Sequence, residues 1–262
     1  MTADSIFLVL GLALVVDAAF GYSDVVYRKI GHPVTWIGAM ISAADKHFNR
    51  QDASFAVRKA VGAVALGAIV GGAALVAALV QGALAQAPGG VIVLAIVAAT
   101  LIAARSLYDH VRNVAAALEG EGIEGGRRSV AMIVGRDTAA LDESGVARAA
   151  IESLAENASD GVVAPAFWFA VAGLPGLAAY KAINTADSMI GHRSPRHLAF
   201  GFAAAKLDDL VNLVPARLSG LVIAVAATLM GRRGWDGLGV MWRDARKHAS
   251  PNAGWPEAAM AG

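Results

Sequence analysis

The feature that most constrains this chain is a series of long apolar runs. Four or five can be read along it, at residues 6–20, 60–80, 91–107, 162–180 and 218–230. The run at 60–80 is long enough to cross ~30 Å of hydrocarbon as a helix, and the run at 91–107 nearly so when tilted. Hydrophobic residues make up 56% of the 262 residues and charged residues only 16%, so the expected solvent is lipid. The sequence predicts an all-α integral membrane protein with four to five transmembrane or re-entrant helical segments, in a single domain over residues 1–262.

Basic residues beside these runs predict which segments lie in the cytoplasm. The segment before residue 60 carries six of them: Arg28, Lys29, Lys46, Arg50, Arg58 and Lys59. The connection at 81–90 contains no Lys or Arg, so the runs on either side of it form a hairpin with both polar ends in the cytoplasm. Further basic residues follow the run at 162–180. A single crossing would place these basic residues on the side opposite to the cytoplasm, which conflicts with the charge rule. One resolution is a re-entrant segment that turns at Gly173, Pro175 and Gly176, and the topology of the C-terminal part stays open.

Composition and missing motifs exclude several classes of function. The formal net charge is +1, and no basic excess points to nucleic acid as a partner. The chain contains no Cys, which excludes disulfides, thiolate metal sites and a Cys nucleophile. No HExxH or Walker A pattern is present, so the signatures of zinc metalloproteases and of P-loop nucleotide-binding proteins are missing. Any chemistry must therefore use oxygen, nitrogen and charge.

The first polar segment that touches the apolar runs spans about residues 135–165. Its central part, 146–159, has a helical pattern. Polar residues spaced by four, four and three positions share one face of this helix and form a ridge: Arg148, Glu152, Glu156 and Ser159. The ordinary interpretation is a solvated face with an Arg148–Glu152 ion pair worth a few tenths of a kcal/mol. Asn157 and Asp160 follow at once and the next residues enter lipid, which favours a functional ridge ending at the bilayer.

The second polar segment spans about residues 180–218. Its first part is dense in polar side chains: Lys181, Asn184, Asp187, Ser188, His192 and Arg193. Asp187, Asp208 and Asp209 are hard oxygen ligands of the kind that suits Mg²⁺, and Lys and Arg suit phosphates. The alternative is that these charges ring the membrane surface at helix ends. That alternative accounts for Lys and Arg but not for Asp and Asn among apolar neighbours. A lone histidine is more often hydrogen-bonded and structural than a ligand.

Several long polar strings follow one another along nearly the whole chain. They are GHPVTWIG at 31–38, ARSLYDHV at 104–111, VGRDTAAL at 134–141, RAAIESLAENASDGVVAPAFW at 148–168, YKAINTADSMIGHR at 180–193, KLDDLVNLVPARL at 206–218 and RDARKHASPNAGWPEAAMAG at 243–262. In these strings, and in their order, the chain resembles the CobD/CbiB family, the adenosylcobinamide-phosphate synthases.

The resemblance implies a multi-pass enzyme of the cytoplasmic (inner) membrane that acts in cobalamin biosynthesis. Such an enzyme is an ATP-dependent ligase that uses Mg²⁺ and joins adenosylcobyric acid, as a substrate, to (R)-1-amino-2-propanol O-phosphate or a related amino-alcohol phosphate. Its partners are these substrates and the lipid bilayer, with no nucleic acid, and homo-oligomerisation is left open.

The resemblance also implies site residues, position by position. Catalytic roles fall on Glu152, Glu156, Asp160, Lys181 and His192. Substrate- or nucleotide-binding roles fall on Arg136, Asp137, Arg148, Asn157, Asn184, Ser188, Arg193, Asn212 and Arg217. Metal-binding roles fall on Asp187, Asp208 and Asp209.

The chain departs from the family pattern in two places. The family tends to carry an Asp followed a few residues later by Gly-Asp-Pro. Asp17 is present here, but residues 21–24 read Gly-Tyr-Ser-Asp. The family usually continues for some tens of residues beyond the end of this chain. We therefore expect a C-terminal tail to be lacking, with activity depending on whether that tail closes the site.

Two other classes of function remain as alternatives. A membrane prenyltransferase also sets acidic motifs above a bilayer to hold Mg²⁺ and diphosphate, but it needs about twice as many spans. A small-molecule transporter typically has intramembrane charges and broken helices. An inverted internal repeat would favour the transporter, and the sequence shows none.

Overall fold

The architecture is α-helical throughout the part of the chain that the computed structural model describes, residues 3–135 and 137–262, where no strand occurs. This confirms the predicted all-α fold. The helices are α1 (Ala3–Phe20), α2 (Asp24–Ile30), α3 (Pro33–Phe48), α4 (Phe55–Gln86), α5 (Gly90–Ala99), α6 (Ala104–Val130), α7 (Glu143–Ala158), α8 (Ala164–Ile190), α9 (Phe202–Val211), α10 (Leu213–Leu229), α11 (Gly234–Asp244) and α12 (Gly254–Ala261). A π-helical turn, Ser159–Val163, follows α7, and a 3₁₀ turn, Ala245–Lys247, follows α11.

Among the described residues, three helical stretches are long and apolar enough to cross a membrane: Phe55–Gln86, Gly90–Val130 and Glu143–Ile190. The number rises to five if each of two bent helix pairs forms one span. Helix α4 is apolar on all sides, and Val64 and Leu79 on it are exposed. A helix that is apolar all round and exposed has lipid as its natural surroundings. The chain therefore has the architecture of a multi-pass membrane protein.

The described residues divide into two compact units. Unit 1 contains residues 1–102, of which the structure describes those from residue 3 onward, and Ala164–Asn212. Unit 2 contains Ala103–Val163 and Leu213–Gly262. Each unit thus combines two separate parts of the chain. The predicted organisation as one domain over 1–262 stays a prediction.

Unit 1 is built on the packing of α4 along α8, with α3 and α9 against both and α1 against α5. Ile41, Leu66 and Phe200 belong to its buried core. The string at 31–38 forms the corner before α3. His32 Nδ1 accepts a hydrogen bond from the Val34 N–H at 3.1 Å, and the Thr35 hydroxyl donates to the His32 carbonyl oxygen at 2.7 Å. This string therefore caps a helix.

Helix α8 is broken where the sequence predicts a turn. Gly173 has φ +65°, inside a stretch that is otherwise helical. A Cβ at this position would lie 2.4 Å from Gln81 Oε1. The same oxygen accepts a hydrogen bond from the Leu174 N–H at 2.8 Å. Glycine is required here because the backbone is left-handed and the Gln81 amide occupies the space. Re-entry of this segment into the side it left stays a prediction.

Unit 2 contains α6 packed on α7, and α10, α11 and α12 packed on one another. Val114, Val130 and Val146 form the buried contact between α6 and α7. Met241 and Trp255 lie in the second buried cluster, where α10, α11 and α12 meet. Helix α12 also packs against α7. These contacts bring the C-terminal segment beside the predicted polar ridge.

Candidate functional site

A buried chain of hydrogen bonds lies between α8 and α9 in unit 1. The Tyr180 hydroxyl donates to Asn212 Oδ1 at 3.0 Å, and the Asn212 amide donates to Asp208 Oδ2 at 3.0 Å. The Asn184 amide lies 3.4 Å from the other Asp208 oxygen, Oδ1. Asn212 is 1% exposed and Asp208 is 9% exposed. Because a buried carboxylate is costly without donors, the two amides are what allow Asp208 to be buried here.

The other predicted metal ligands lie close to Asp208. Asp187 is within electrostatic range of both Asp208 and Asp209. Asp209 Oδ2 accepts a hydrogen bond from Lys206 Nζ at 3.1 Å. Within residues 3–135 and 137–262, however, no group of three or more His, Cys, Asp or Glu side chains is arranged to hold a metal ion.

The helical spacing of α8 places the remaining polar residues of this segment. Lys181, Asn184 and Ser188 recur at three and four positions and share a helix face. The Ser188 hydroxyl donates to the Asn184 carbonyl oxygen at 2.9 Å. His192 and Arg193 follow in the loop after α8 and are exposed.

That loop is anchored by residues that sequence reasoning missed. Arg196 Nη2 donates to Asp45 Oδ2 at 2.7 Å, and the Asn49 amide donates to the Arg196 carbonyl oxygen at 3.0 Å. Arg58 Nε donates to Asn49 Oδ1 at 3.0 Å. The loop that carries His192 is thereby tied to α3 and α4. The sequence signal for these anchoring residues was the group of polar side chains between the apolar runs at 6–20 and 60–80. We used its basic members only to assign topology.

In unit 2, the polar ridge of α7 lines an open cleft of about 700 Å³. Helix α7 begins at an N-cap in which Asp142 Oδ1 accepts from the Gly145 N–H at 2.7 Å. Arg148 and Glu152 face the cleft from this helix, whereas Glu156 is exposed and is not among the residues that line it. Of the predicted ridge, Arg148 and Glu152 line this cleft, and Glu156 does not.

The other side of the cleft comes from the C-terminal segment, which sequence reasoning left out of the site. It contributes Asp244, Lys247, His248 and Glu257. Lys247 Nζ lies 2.5 Å from Asp244 Oδ1, and Arg243 Nη2 lies 2.7 Å from Asp244 Oδ2. The Arg243 guanidinium and the Lys247 ammonium hold the pKa of Asp244 well below its usual range. Asp244 is therefore an ionised anchor for two cations. The high density of charged residues at 243–257 was the sequence signal that could have assigned this segment to the site.

Asn157 faces a different cavity from Glu152. Its amide donates to the Ser153 carbonyl oxygen at 2.8 Å, and the Ser153 hydroxyl donates to the Ile133 carbonyl oxygen at 2.8 Å. Asn157 and Ser153 line a cavity of about 410 Å³ together with Ser106 and His110 of α6. Asp160 lies in the π-helical turn that follows.

The expected alignment of Ser159 with the ridge differs from the structure. Ser159 is 2% exposed, whereas Glu156 is exposed. The Ser159 hydroxyl has no hydrogen-bond partner within the part of the chain that the structure describes. Ser159 is the first residue of the π-helical turn, so the α-helical spacing on which the ridge was predicted ends directly before it.

Three further predicted binding residues belong to unit 2 or lie outside the described residues. Asp137 is exposed, and its Oδ1 accepts from the Ala139 N–H at 2.9 Å. The Arg217 guanidinium lies over the Trp255 ring, 4.4 Å from its centroid, which is the geometry of a cation–π contact. Arg136 lies outside the described residues.

The predicted site residues thus form two groups, one in each unit. Unit 1 holds Lys181, Asn184, Asp187, Ser188, His192, Arg193, Asp208, Asp209 and Asn212. Unit 2 holds Asp137, Arg148, Glu152, Glu156, Asn157, Asp160 and Arg217. The individual roles of these residues stay predictions.

Comparison with known proteins gives a family and several relatives. The family model described as CobD/Cbib protein matches residues 10–262. A protein of Rhodobacter capsulatus named cobalamin biosynthesis protein CobD is 53% identical over 251 residues, which cover 96% of this chain and 78% of the relative. Proteins of the same name from a Sinorhizobium species and from Brucella suis are each 52% identical; the matches cover 99% and 97% of this chain and 81% and 79% of the relatives. No solved structure matches the chain significantly.

Proposed function

The chain belongs to the CobD/CbiB family, and we propose on that basis that it is an enzyme of cobalamin biosynthesis that forms an amide bond. In this proposal it joins the carboxylate of adenosylcobyric acid to the amine of (R)-1-amino-2-propanol O-phosphate or a related amino-alcohol phosphate, and it consumes ATP. The observation that carries the proposal is the match to cobalamin biosynthesis proteins over 96% of the chain. The three to five candidate spans support a multi-pass membrane enzyme, which we place in the cytoplasmic membrane.

The polar residues of unit 1 at 181–212 suit the binding of ATP and Mg²⁺, which is the nucleotide half of the proposed reaction. Mg²⁺ is held in proteins by one or two carboxylates together with substrate phosphates. Asp187 and the amide-held carboxylate of Asp208 fit that requirement, because they lie within electrostatic range of each other. Bound there, Mg²⁺ would neutralise phosphate charge. Lys181 and Arg193 belong to the same polar segment and would bind phosphate oxygens.

The ridge of unit 2 suits the amine half. In this proposal ATP converts the carboxylate of adenosylcobyric acid to an acyl phosphate, and phosphate leaves when the amine nitrogen attacks the acyl carbon. The ammonium group must first lose a proton, and a partly buried carboxylate is a suitable acceptor. Glu152 is half-buried and faces the 700 Å³ cleft. We assign it to hold the ammonium group and to accept its proton. Orientation of the amine by such a contact lowers the entropic cost of the attack.

Reconstitution of the reaction tests the proposal. Purified protein in detergent is supplied with adenosylcobyric acid, aminopropanol phosphate, Mg²⁺ and ATP, and the product is identified by mass spectrometry. We expect adenosylcobinamide phosphate, formed only when ATP and Mg²⁺ are both present. A folded sample that makes no such product from these substrates would contradict the proposed reaction.

A further inference from the structure

The cleft of unit 2 has one wall formed by the C-terminal segment, residues 244–261, to which the proposed reaction gives no role. We call this the C-terminal wall. The cleft is an open volume of about 700 Å³ between α7 and the segment that ends in α12. That volume is in the range of small-ligand sites. Arg148 and Glu152 come from α7, and Lys247, His248 and Glu257 come from the C-terminal segment. All of these residues belong to unit 2.

The C-terminal wall is held in place by its own contacts. A Cβ at Gly254 would lie 2.2 Å from the carbonyl oxygen of Ala245, so the start of α12 packs directly on the turn that carries Lys247. The Trp255 indole donates to the Pro251 carbonyl oxygen at 3.2 Å, and Arg217 stacks on the same indole. A wall fixed in this way needs little ordering when a ligand binds.

One set of lining groups suits a phosphate. Lys247 and Arg148 are cations at the cleft. His248 Nδ1 accepts a hydrogen bond from the Ser250 N–H at 3.0 Å. In the neutral ring the proton therefore lies on Nε2, which becomes a donor. Two cations and an N–H donor are a set that binds phosphate oxygens.

A second set suits an ammonium group. Glu152 and Glu257 bring two carboxylates to the same cleft. Glu257 Oε2 lies 3.8 Å from His248 Nε2, so the acidic and basic sets are neighbours. A third carboxylate at the cleft, that of Asp244, binds Arg243 and Lys247. The cleft thus offers both signs of charge within the length of a small molecule.

We propose that this cleft binds the amino-alcohol phosphate, with Arg148, Lys247 and His248 on the phosphate and Glu152 and Glu257 on the ammonium. The inference rests on the proposed function. A small zwitterion matches both sets of groups at once. A nucleoside triphosphate would set its phosphates against the lining carboxylates, and a corrinoid ring is too large to be enclosed in this volume.

Steady-state kinetics of Lys247→Gln and His248→Phe test the phosphate side. Each variant should raise the KM for aminopropanol phosphate about tenfold or more, with the KM for ATP unchanged, since Lys247→Gln removes a cation and His248→Phe removes the ring N–H donor. The preference for aminopropanol phosphate over unphosphorylated aminopropanol should fall by a similar factor. Lys247 is exposed, and Asp244 keeps Arg243 as a partner, so the variant should fold. Arg246→Gln is the matched control, because Arg246 is exposed on the same turn and is not among the residues that line the cleft.

The ammonium side is tested by Glu257→Gln. This variant should raise the KM for the phosphorylated and unphosphorylated amines by the same factor, so the preference between them stays as in the parent. A change in preference with Lys247→Gln and none with Glu257→Gln separates the two ends of the ligand. A merely structural role would not produce this split.

The outcomes separate this inference from the proposed function. If the parent forms product and both Lys247→Gln and His248→Phe keep its KM and its preference, the cleft assignment is overturned while the function stands. If the parent forms no product, the proposed function fails. Calorimetric titration with aminopropanol phosphate then tests separately whether the cleft binds this ligand. Binding that is lost in Lys247→Gln and kept in Arg246→Gln supports the assignment. Equal binding in all three proteins, or none in the parent, overturns it.

Discussion

At the scale of single residues, Asn212 stabilises the buried carboxylate of Asp208 through a hydrogen bond. Its amide donates to Asp208, and its carbonyl oxygen accepts from Tyr180. Asn212→Leu keeps a similar volume but removes both contacts, so we expect a loss of about 1–3 kcal/mol in the free energy of unfolding and a lower melting temperature in detergent. Tyr180→Phe keeps the amide–carboxylate bond and should cost less. Equal melting temperatures for Asn212→Leu and the parent would show that Asp208 needs no such donor.

At the scale of elements, the broken helix α8 depends on a side chain from α4. Gln81 Oε1 accepts a hydrogen bond from the Leu174 N–H, directly after the break at Gly173. In Gln81→Leu this N–H loses its acceptor inside a mostly apolar unit, which should cost about 1–3 kcal/mol and lower the melting temperature. Gln86→Leu is the control, because Gln86 is exposed at the end of α4 and donates to the backbone of Gly82. Melting temperatures that match between the two variants would refute a specific role for Gln81.

At the scale of the whole molecule, the distribution of basic residues predicts which ends of the helices face the cytoplasm. The native chain has no Cys, so a single introduced thiol reports on its own position. We expect His192→Cys to react with an impermeant thiol reagent only from the cytoplasmic side, and Gln86→Cys only from the periplasmic side. Both positions are exposed in the structure. Labelling of His192→Cys from the periplasm would overturn the topology and, because ATP is cytoplasmic, the placement of the nucleotide half.

The sequence by itself determined the class of the protein, its family and the outline of its elements. Apolar length and composition indicate membrane helices whatever their neighbours are, and α4 extends the predicted run at 60–80 in both directions. The break at Gly173 was also predicted, because glycine and proline interrupt a helix through their own backbone. The polar segments at 135–165 and 180–218 were identified as unusual because ionisable groups beside lipid are costly.

Only the tertiary structure decided which of these polar residues lie together. Asn184 and Asn212 both reach Asp208, while Asn157 and Glu152 face different cavities although they are five positions apart. Helical periodicity assigns residues to a face of one helix, but it does not say which other helix packs there. The pairing of α7 with α12 joins residues about a hundred positions apart, and α12 is itself held on α10 and α11 by the burial of Trp255 and Met241. Lys247, His248 and Glu257 reach the cleft through that packing, which no local pattern encodes.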